Sequence, residues 1–283
     1  MKTVNSISGG QTSAYIAANY KADVNLFALV RTNDKSCLFP DKKLRQMVSD
    51  KIGTEFIGTL EDDIIIHTMF DLEQFLGSEI IWVTGKTFED LIRDKGGWLP
   101  NLVSRYCTTN MKLVPMFEWW YHNVGEPVET RIGFRANELS RADRMVAKTD
   151  ENGLSVIKAT VSKHPSGKNK WQEFAWQKPV FPLIEDQIYK DNIVKYWNDK
   201  PVRFAYMNNC VGCFHRNEIL LNKMFELHPN KMEWFRMQEN NQGGAGKGTW
   251  KKGITYDKIK KHRMQIELAL EDFNECDSGY CGL

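Results

Sequence analysis

Apolar residues fall along the first half of the chain in two alternating patterns. TVNSI at 3–7, VNLFALV at 24–30, EFIGTL at 55–60 and EIIWVTG at 79–85 are short apolar runs with strand character. Between them SAYIAANY at 13–20, KKLRQMVSDKI at 42–52 and EDDIIIHTMFDLEQFLG at 61–77 repeat apolar positions three or four apart, the spacing of a helix with one buried face. Repeated alternation of strand and helix predicts an α/β layer built on a parallel sheet, to which VETRIGFRA at 128–136 adds a strand. After VFPLIEDQIYKDNIVKYWND at 180–199 the strand signals fade. HRNEILLNKMFELHPNKMEWFRMQEN at 215–240 and TYDKIKKHRMQIELALEDF at 255–273 read as helices joined by the loop NQGGAGKGTWKKG at 241–253. The expected organisation is an α/β domain over 1–200 and a helical C-terminal lobe over 201–283.

Composition narrows this only slightly. A chain of 283 residues, 42% hydrophobic and 26% charged, can bury a substantial core. No stretch approaches the roughly 18 consecutive apolar residues of a membrane span, and MKTVNSISGG lacks the apolar run of a signal peptide, so no membrane contact and a cytoplasmic location are expected. The formal net charge of +2 argues against a generally basic surface and leaves local patches open. Six cysteines in a chain this long do not form an obvious disulfide framework, and their clustering directs attention to metal or thiol chemistry.

The candidate chemistry begins in SISGGQTSAYIAA at 6–18, where a strand hands over to a helix. Two adjacent glycines let the backbone turn tightly and present N–H groups to an anion. Ser8, Thr12 and Ser13 offer hydroxyls, and the helix start adds its positive dipole end. By itself such a turn is also an ordinary structural feature. Arg135, Glu138 and Arg141 follow the strand in VETRIGFRA, where an arginine can grip phosphate or sulfate and a glutamate can orient it, or where the three can simply pair on a surface. Glu61, Asp62 and Asp63 fit an acidic helix start better than a divalent-cation site. Cys210 and Cys213 form CVGC, a spacing suited to a metal, a cluster or a redox pair. Cys37 reads as a packed thiol. The Gly-Lys loop near 247 lacks the Lys-Ser or Lys-Thr of a Walker motif.

SGGQTS, RYCTTNMKLVP at 105–115, IGFRANELSR at 132–141, FPLIEDQI at 181–188 and NNCVGCFHRN at 208–217 occur in that order. They resemble the glycine loop, the cysteine-lysine-proline segment, the GxRxxE-R segment, the Pro-Leu segment and the later CxxC of the PP-loop ATP pyrophosphatase and phosphoadenosine phosphosulfate reductase superfamily, in particular its phage-type members. The resemblance runs from Ser8 to Cys213. It implies an adenine nucleotide alpha hydrolase-like domain, with ATP or a related adenine nucleotide held by Ser8, Gly9, Gly10, Gln11, Thr12, Ser13, Arg135 and Arg141. Magnesium would offset the phosphate charge, and Lys112 and Glu138 would serve the reaction. That reaction would be attack of a substrate oxygen on the α phosphorus with release of pyrophosphate, followed by sulfur transfer to an acceptor, a nucleic-acid base among the candidates. Two departures stand out: Thr12 replaces an Asp of many ATP pyrophosphatases, and Asn137 stands where related sequences often carry Asp.

The same resemblance implies a 4Fe-4S cluster on Cys107, Cys210 and Cys213, with Thr108 where cluster-bearing relatives have a second cysteine, and either an open iron or Cys281 or Cys276 as the fourth ligand. Zinc, with His215 as a further ligand, is the simpler alternative. YCGL at 280–283 also resembles the reductase tail, which would make Cys281 the nucleophile of a sulfonucleotide reductase drawing on a thiol reductant. A homo-oligomer is compatible with each reading. A non-catalytic nucleotide-binding or interaction protein that keeps the fold is the alternative outside enzymology.

Overall fold

The structure, a computed structural model, describes residues 1–240 and 248–261. Strand β1 (Thr3–Ile7) leads through Ser8-Gly9-Gly10 into helix α1 (Gln11–Asn19), and β2 (Val24–Leu29) is followed by α2 (Lys42–Ile52), α3 (Ile64–Leu76) and β3 (Ile80–Thr84). After α4 (Phe88–Asp94), α5 (Tyr106–Thr108), a π turn at Thr109–Leu113 and α6 (Val114–Asn123) run on as one interrupted helix. Then come β4 (Val128–Arg131), α7 (Leu139–Val146), the hairpin of β5 (Ser155–Lys163) and β6 (Asn169–Val180), α8 (Pro182–Glu185) and α9 (Lys190–Trp197). The C-terminal lobe contributes α10 (Glu218–Leu227), α11 (Pro229–Asn240) and α12 (Tyr256–Lys261).

The fold is α/β, with a mostly parallel six-stranded sheet in the order β3-β2-β1-β4-β6-β5. Only β5 is antiparallel to its neighbour. Val4 of β1 sits opposite Val24 of β2 on one side and Thr130 of β4 on the other. Leaving β1, the chain builds β2 and β3 to one side and returns to β4 on the other. This places a topological switch point, and hence a crevice, at the carboxyl ends of β1 and β4.

Both faces of the central strands are covered, which is why their sequences read as nearly continuous apolar runs. Phe27 and Leu29 join Ile7, Ile16, Ile65 and Met69 on one face, whereas Leu26 and Ala28 join Val4, Met116, Phe117 and Trp176 on the other. Each large side chain so buried contributes about 1.5–3 kcal/mol. A third apolar cluster unites Val30, Leu60, Phe88 and Leu91 with Val211, Leu221, Trp234, Phe235, Trp250 and Tyr256. The helical lobe thus shares a core with the carboxyl edge of the sheet. Local signals start its helices: the Asn217 side chain accepts from the Leu220 amide at 2.8 Å, and Pro229 opens α11.

Two features depart from the sequence reading. EFIGTL does not join the sheet, because β3 already occupies the outer side of β2. It crosses the carboxyl edge instead, where the Gly58 carbonyl accepts from the Thr32 amide at 2.9 Å and the Ile57 carbonyl from the Phe39 amide at 2.9 Å. The β5–β6 hairpin was not anticipated, since its outer half carries too few apolar residues to announce a strand.

Candidate functional site

The β1–α1 bend lies at the switch point and braces itself. The Ser13 hydroxyl accepts from the Ser8 amide at 3.1 Å, donates to the Gly10 carbonyl at 3.1 Å, and lies 3.1 Å from the Ser8 hydroxyl. Gly9 has φ +80°, and a Cβ there would come within 2.6 Å of Ile65 Cγ2, so both conformation and space require glycine. Thr12 and Ser13, read from the sequence as donors to phosphate, are almost fully buried. Ser13 is committed inside the bend. The Thr12 methyl lies 3.2 Å from where a Cβ on Gly133 would sit, which packs the bend directly on the end of β4. Gln11 opens α1, and its carbonyl accepts from Trp197 Nε1 at 3.0 Å.

Beyond Gly133 the segment that follows β4 carries Arg135, Glu138 and Arg141. Glu138 Oε2 accepts from both the amide and Nε of Arg135 at 3.0 Å, and its other oxygen accepts from Arg141. The Arg141 guanidinium also stacks over Phe134, 4.4 Å from the ring centroid, and Phe134 stacks on Phe181 with centroids 5.4 Å apart. With both oxygens on arginines, Glu138 is placed to position them rather than to exchange protons. The Ala136 amide donates to the Ile188 carbonyl at 3.0 Å, tying this segment to FPLIEDQI. Nothing in the linear sequence signals the pairing of Phe134 with Phe181.

Cys107, Cys210 and Cys213 line one cavity together with Arg105, Thr108, Met111, Lys112 and His215. All three cysteines are partly buried and carry free thiols. Cys107 arrives on α5, immediately before the π turn that carries Lys112. CVGC is pinned beneath it: the Val211 amide donates to the Leu60 carbonyl at 2.9 Å, and the Tyr256 hydroxyl donates to the Gly212 carbonyl at 2.8 Å. Burial, with Cys213 nearby, pushes the Cys107 thiol up to about 11. Burial and then Glu61 push the Cys210 thiol well above its ordinary value. His215 also lines the cavity, and partial desolvation and the Arg105 charge pull its imidazole down to about 4. Among the described residues, no three His, Cys, Asp or Glu side chains form a group that could hold one metal ion.

Lys112 joins the two halves. It lines the thiol cavity and also a second cavity walled by Ser6, Ile7, Ser8, Ala28, Leu113 and Met116. Its ammonium donates to Glu61 Oε1 at 2.9 Å, and the Glu61 side chain is 1% exposed. Burial works against the Lys112 charge, but Glu61 and the neighbouring thiols outweigh it and hold the ammonium above its ordinary value. Glu61 Oε2 is buried without a hydrogen-bond partner.

The acidic run therefore does more than start a helix. The Asp62 carboxylate accepts from the Ile64 amide at 3.0 Å, but it also meets His228 Nε2 at 3.3 Å, and Asp63 accepts from Lys231 at 2.7 Å. These three carboxylates anchor Lys112 and the helical lobe, a role that needs partners far away in sequence. Cys37 is buried, and its thiol is pushed up to about 11, chiefly by burial. Cys276 and Cys281 lie outside the described residues. No family model, no curated protein and no solved structure matches this chain.

Proposed function

We propose that the protein is an adenine-nucleotide-binding enzyme of the PP-loop, phosphoadenosine phosphosulfate reductase-like kind. In this reading it couples cleavage at the α phosphorus of ATP to sulfur transfer or a related modification at the thiol site. The observation that carries it is Lys112, whose side chain lines both the Ser8 cavity and the cavity of Cys107, Cys210 and Cys213. A nucleotide on the bend and chemistry at the thiols would share one ammonium.

The residues then divide the work. Amides of Gly9 and Gly10 and the start of α1 hold phosphate oxygens. Arg135 and Arg141, oriented by Glu138, supply cationic hydrogen bonds on the β4 side. Ile7, Ala28, Leu113 and Met116 give the Ser8 cavity an apolar wall. Thr12 brings no carboxylate for magnesium, so the metal would be carried largely on the nucleotide phosphates. Lys112 offsets negative charge that develops between the two cavities.

Thiol is the donor an iron-sulfur cluster takes, although the three thiols as they stand do not form a group that could hold one metal ion. Three thiols share a cavity wall with Lys112 and Arg105, cations that offset thiolate charge. Cys107, Cys210 and Cys213 would hold it, and when bound it would supply a redox-active or Lewis-acidic iron beside the nucleotide. Thiols raised by burial lose their protons on metal binding, so loading is favoured by rising pH.

Anaerobic purification, metal analysis and an absorption spectrum, together with ATP binding and pyrophosphate release, test the reading. Iron with sulfide, a visible charge-transfer band and ATP binding that Arg135→Ala weakens at least tenfold are the expected results. A colourless protein with one zinc removes the cluster, and failure to bind any adenine nucleotide removes the enzyme.

A further inference from the structure

The largest feature this function does not use is the β5–β6 ribbon. Val128 of β4 pairs with Gln177, so residues 169–176 of β6 run roughly 26 Å past the start of β4 with only β5 beside them. The inner part of this overhang is anchored. Ile157, Ala159 and Trp176 are buried, and Phe174 packs on Phe117 and Tyr121 with centroids 5.1 and 5.6 Å apart. From Ser162 to Trp171 every residue is exposed. A two-stranded ribbon buries too little to sustain itself in water, so packing does not account for this outer part.

Its chemistry is one-sided. Between Lys158 and Trp171 the chain carries Lys158, Lys163, Lys168, Lys170 and His164 and no carboxylate. Trp171 is 57% exposed. The register sets Trp171 opposite Thr160, Lys163 opposite Asn169 and Lys158 opposite Glu173, so pairing and alternation put Trp171, Lys163, Lys158 and Glu173 on one face and Lys170, opposite Ser162, on the other.

We propose that this ribbon is a nucleic-acid-binding arm, its lysines on backbone phosphates and Trp171 stacked on an unpaired base. A second copy of the chain is the wrong partner for the edge of β5: two register shifts break its ladder, and its lysines would face lysines. An acidic protein surface would satisfy the lysines and leave the exposed indole without a flat partner. The ribbon extends from the amino end of β6, away from the carboxyl edge that carries the nucleotide cavity, so its affinity is independent of ATP binding.

Fluorescence anisotropy with the full chain tests this, using fluorescein-labelled single-stranded, stem-loop and duplex oligonucleotides of about 20 nucleotides over a salt series. The expected result is binding to the single strand or the loop that weakens with salt. Changing Lys163, Lys168 and Lys170 together to Glu lowers affinity more than tenfold and reduces the logarithmic salt slope by about 2, at roughly 0.7 per phosphate contact. Trp171→Ala weakens binding about 5- to 100-fold, while Trp171→Phe keeps most of it. Thermal unfolding identifies any variant that fails to fold, in which case the three lysines changed to Gln replace it. No binding, binding unchanged in these variants, or binding confined to phosphatidylserine vesicles or an acidic peptide overturns the proposal. Loss of ATP binding with oligonucleotide binding intact would remove the proposed enzyme and leave the arm standing.

Discussion

The two cavities that meet at Lys112 are built on opposite principles. On the glycine-bend side, each hydrogen bond of Ser13 described above closes inside the bend, and Glu138 has both oxygens on arginines. That side is held by contacts of its own residues. On the thiol side, burial raises Cys107 and Cys210, and one oxygen of Glu61 has no hydrogen-bond partner. That side holds polar groups at a cost, and only a bound partner would repay it. An anion needs preorganised donors, whereas a thiol site becomes a ligand set only when metal displaces its protons.

The largest expected effect comes from the hinge between them. Lys112→Met leaves the Glu61 carboxylate buried beside Cys210 without its cation and lowers unfolding free energy by about 3–5 kcal/mol in urea titration. Adding Glu61→Leu recovers most of the loss; if the double variant is no more stable than the single one, the pair is not the reason. Next is Gly9→Ala, which combines a left-handed backbone with a collision against Ile65 and costs about 2–4 kcal/mol. In the proposed reading it also weakens ATP binding while leaving the thiol side intact, measured as the rate of thiol alkylation.

Glu138→Gln is a milder test of the preorganised side. The variant loses about 1 kcal/mol of stability, since one amide cannot hold two guanidinium groups as a carboxylate does, and ATP affinity falls about tenfold in isothermal titration. Unchanged affinity would mean that the arginines need no positioning.

The smallest effect is in acid. Burial pushes the Asp62 carboxyl up, but the hydrogen bonds from His228 and the Ile64 amide, with Lys231 nearby, outweigh it and hold the group below its ordinary value. The unfolded chain therefore binds this proton more readily than the folded one. Its contribution is whole above the ordinary carboxylate range and is lost as pH falls through the depressed folded value. Asp62→Asn lowers stability at neutral pH and flattens the acid limb of the stability profile; an unchanged limb would mean that Asp62 does not anchor the lobe.

How much of this was legible depends on the range of the interaction. Strand and helix alternation, the tight bend at Gly9 and the pairing of CVGC follow from neighbours within a few residues, where periodicity and turn chemistry act. EFIGTL shows the limit: its residues suit a strand, but a strand needs an open edge, and β3 had taken it. Glu61, Asp62 and Asp63 suit a helix start and in fact serve as anchors, because Lys112, His228 and Lys231 reach them from remote segments.

By itself, then, the order of residues determined an α/β layer, a tight glycine bend between a strand and a helix, and the close spacing of Cys210 and Cys213. Tertiary structure alone decided that β1 and β4 are neighbours, that Gly133 backs Thr12, and that one lysine serves two cavities. Strand order and cavity walls are set by competition among distant segments for the same buried surface, and that competition is resolved only when the whole core forms.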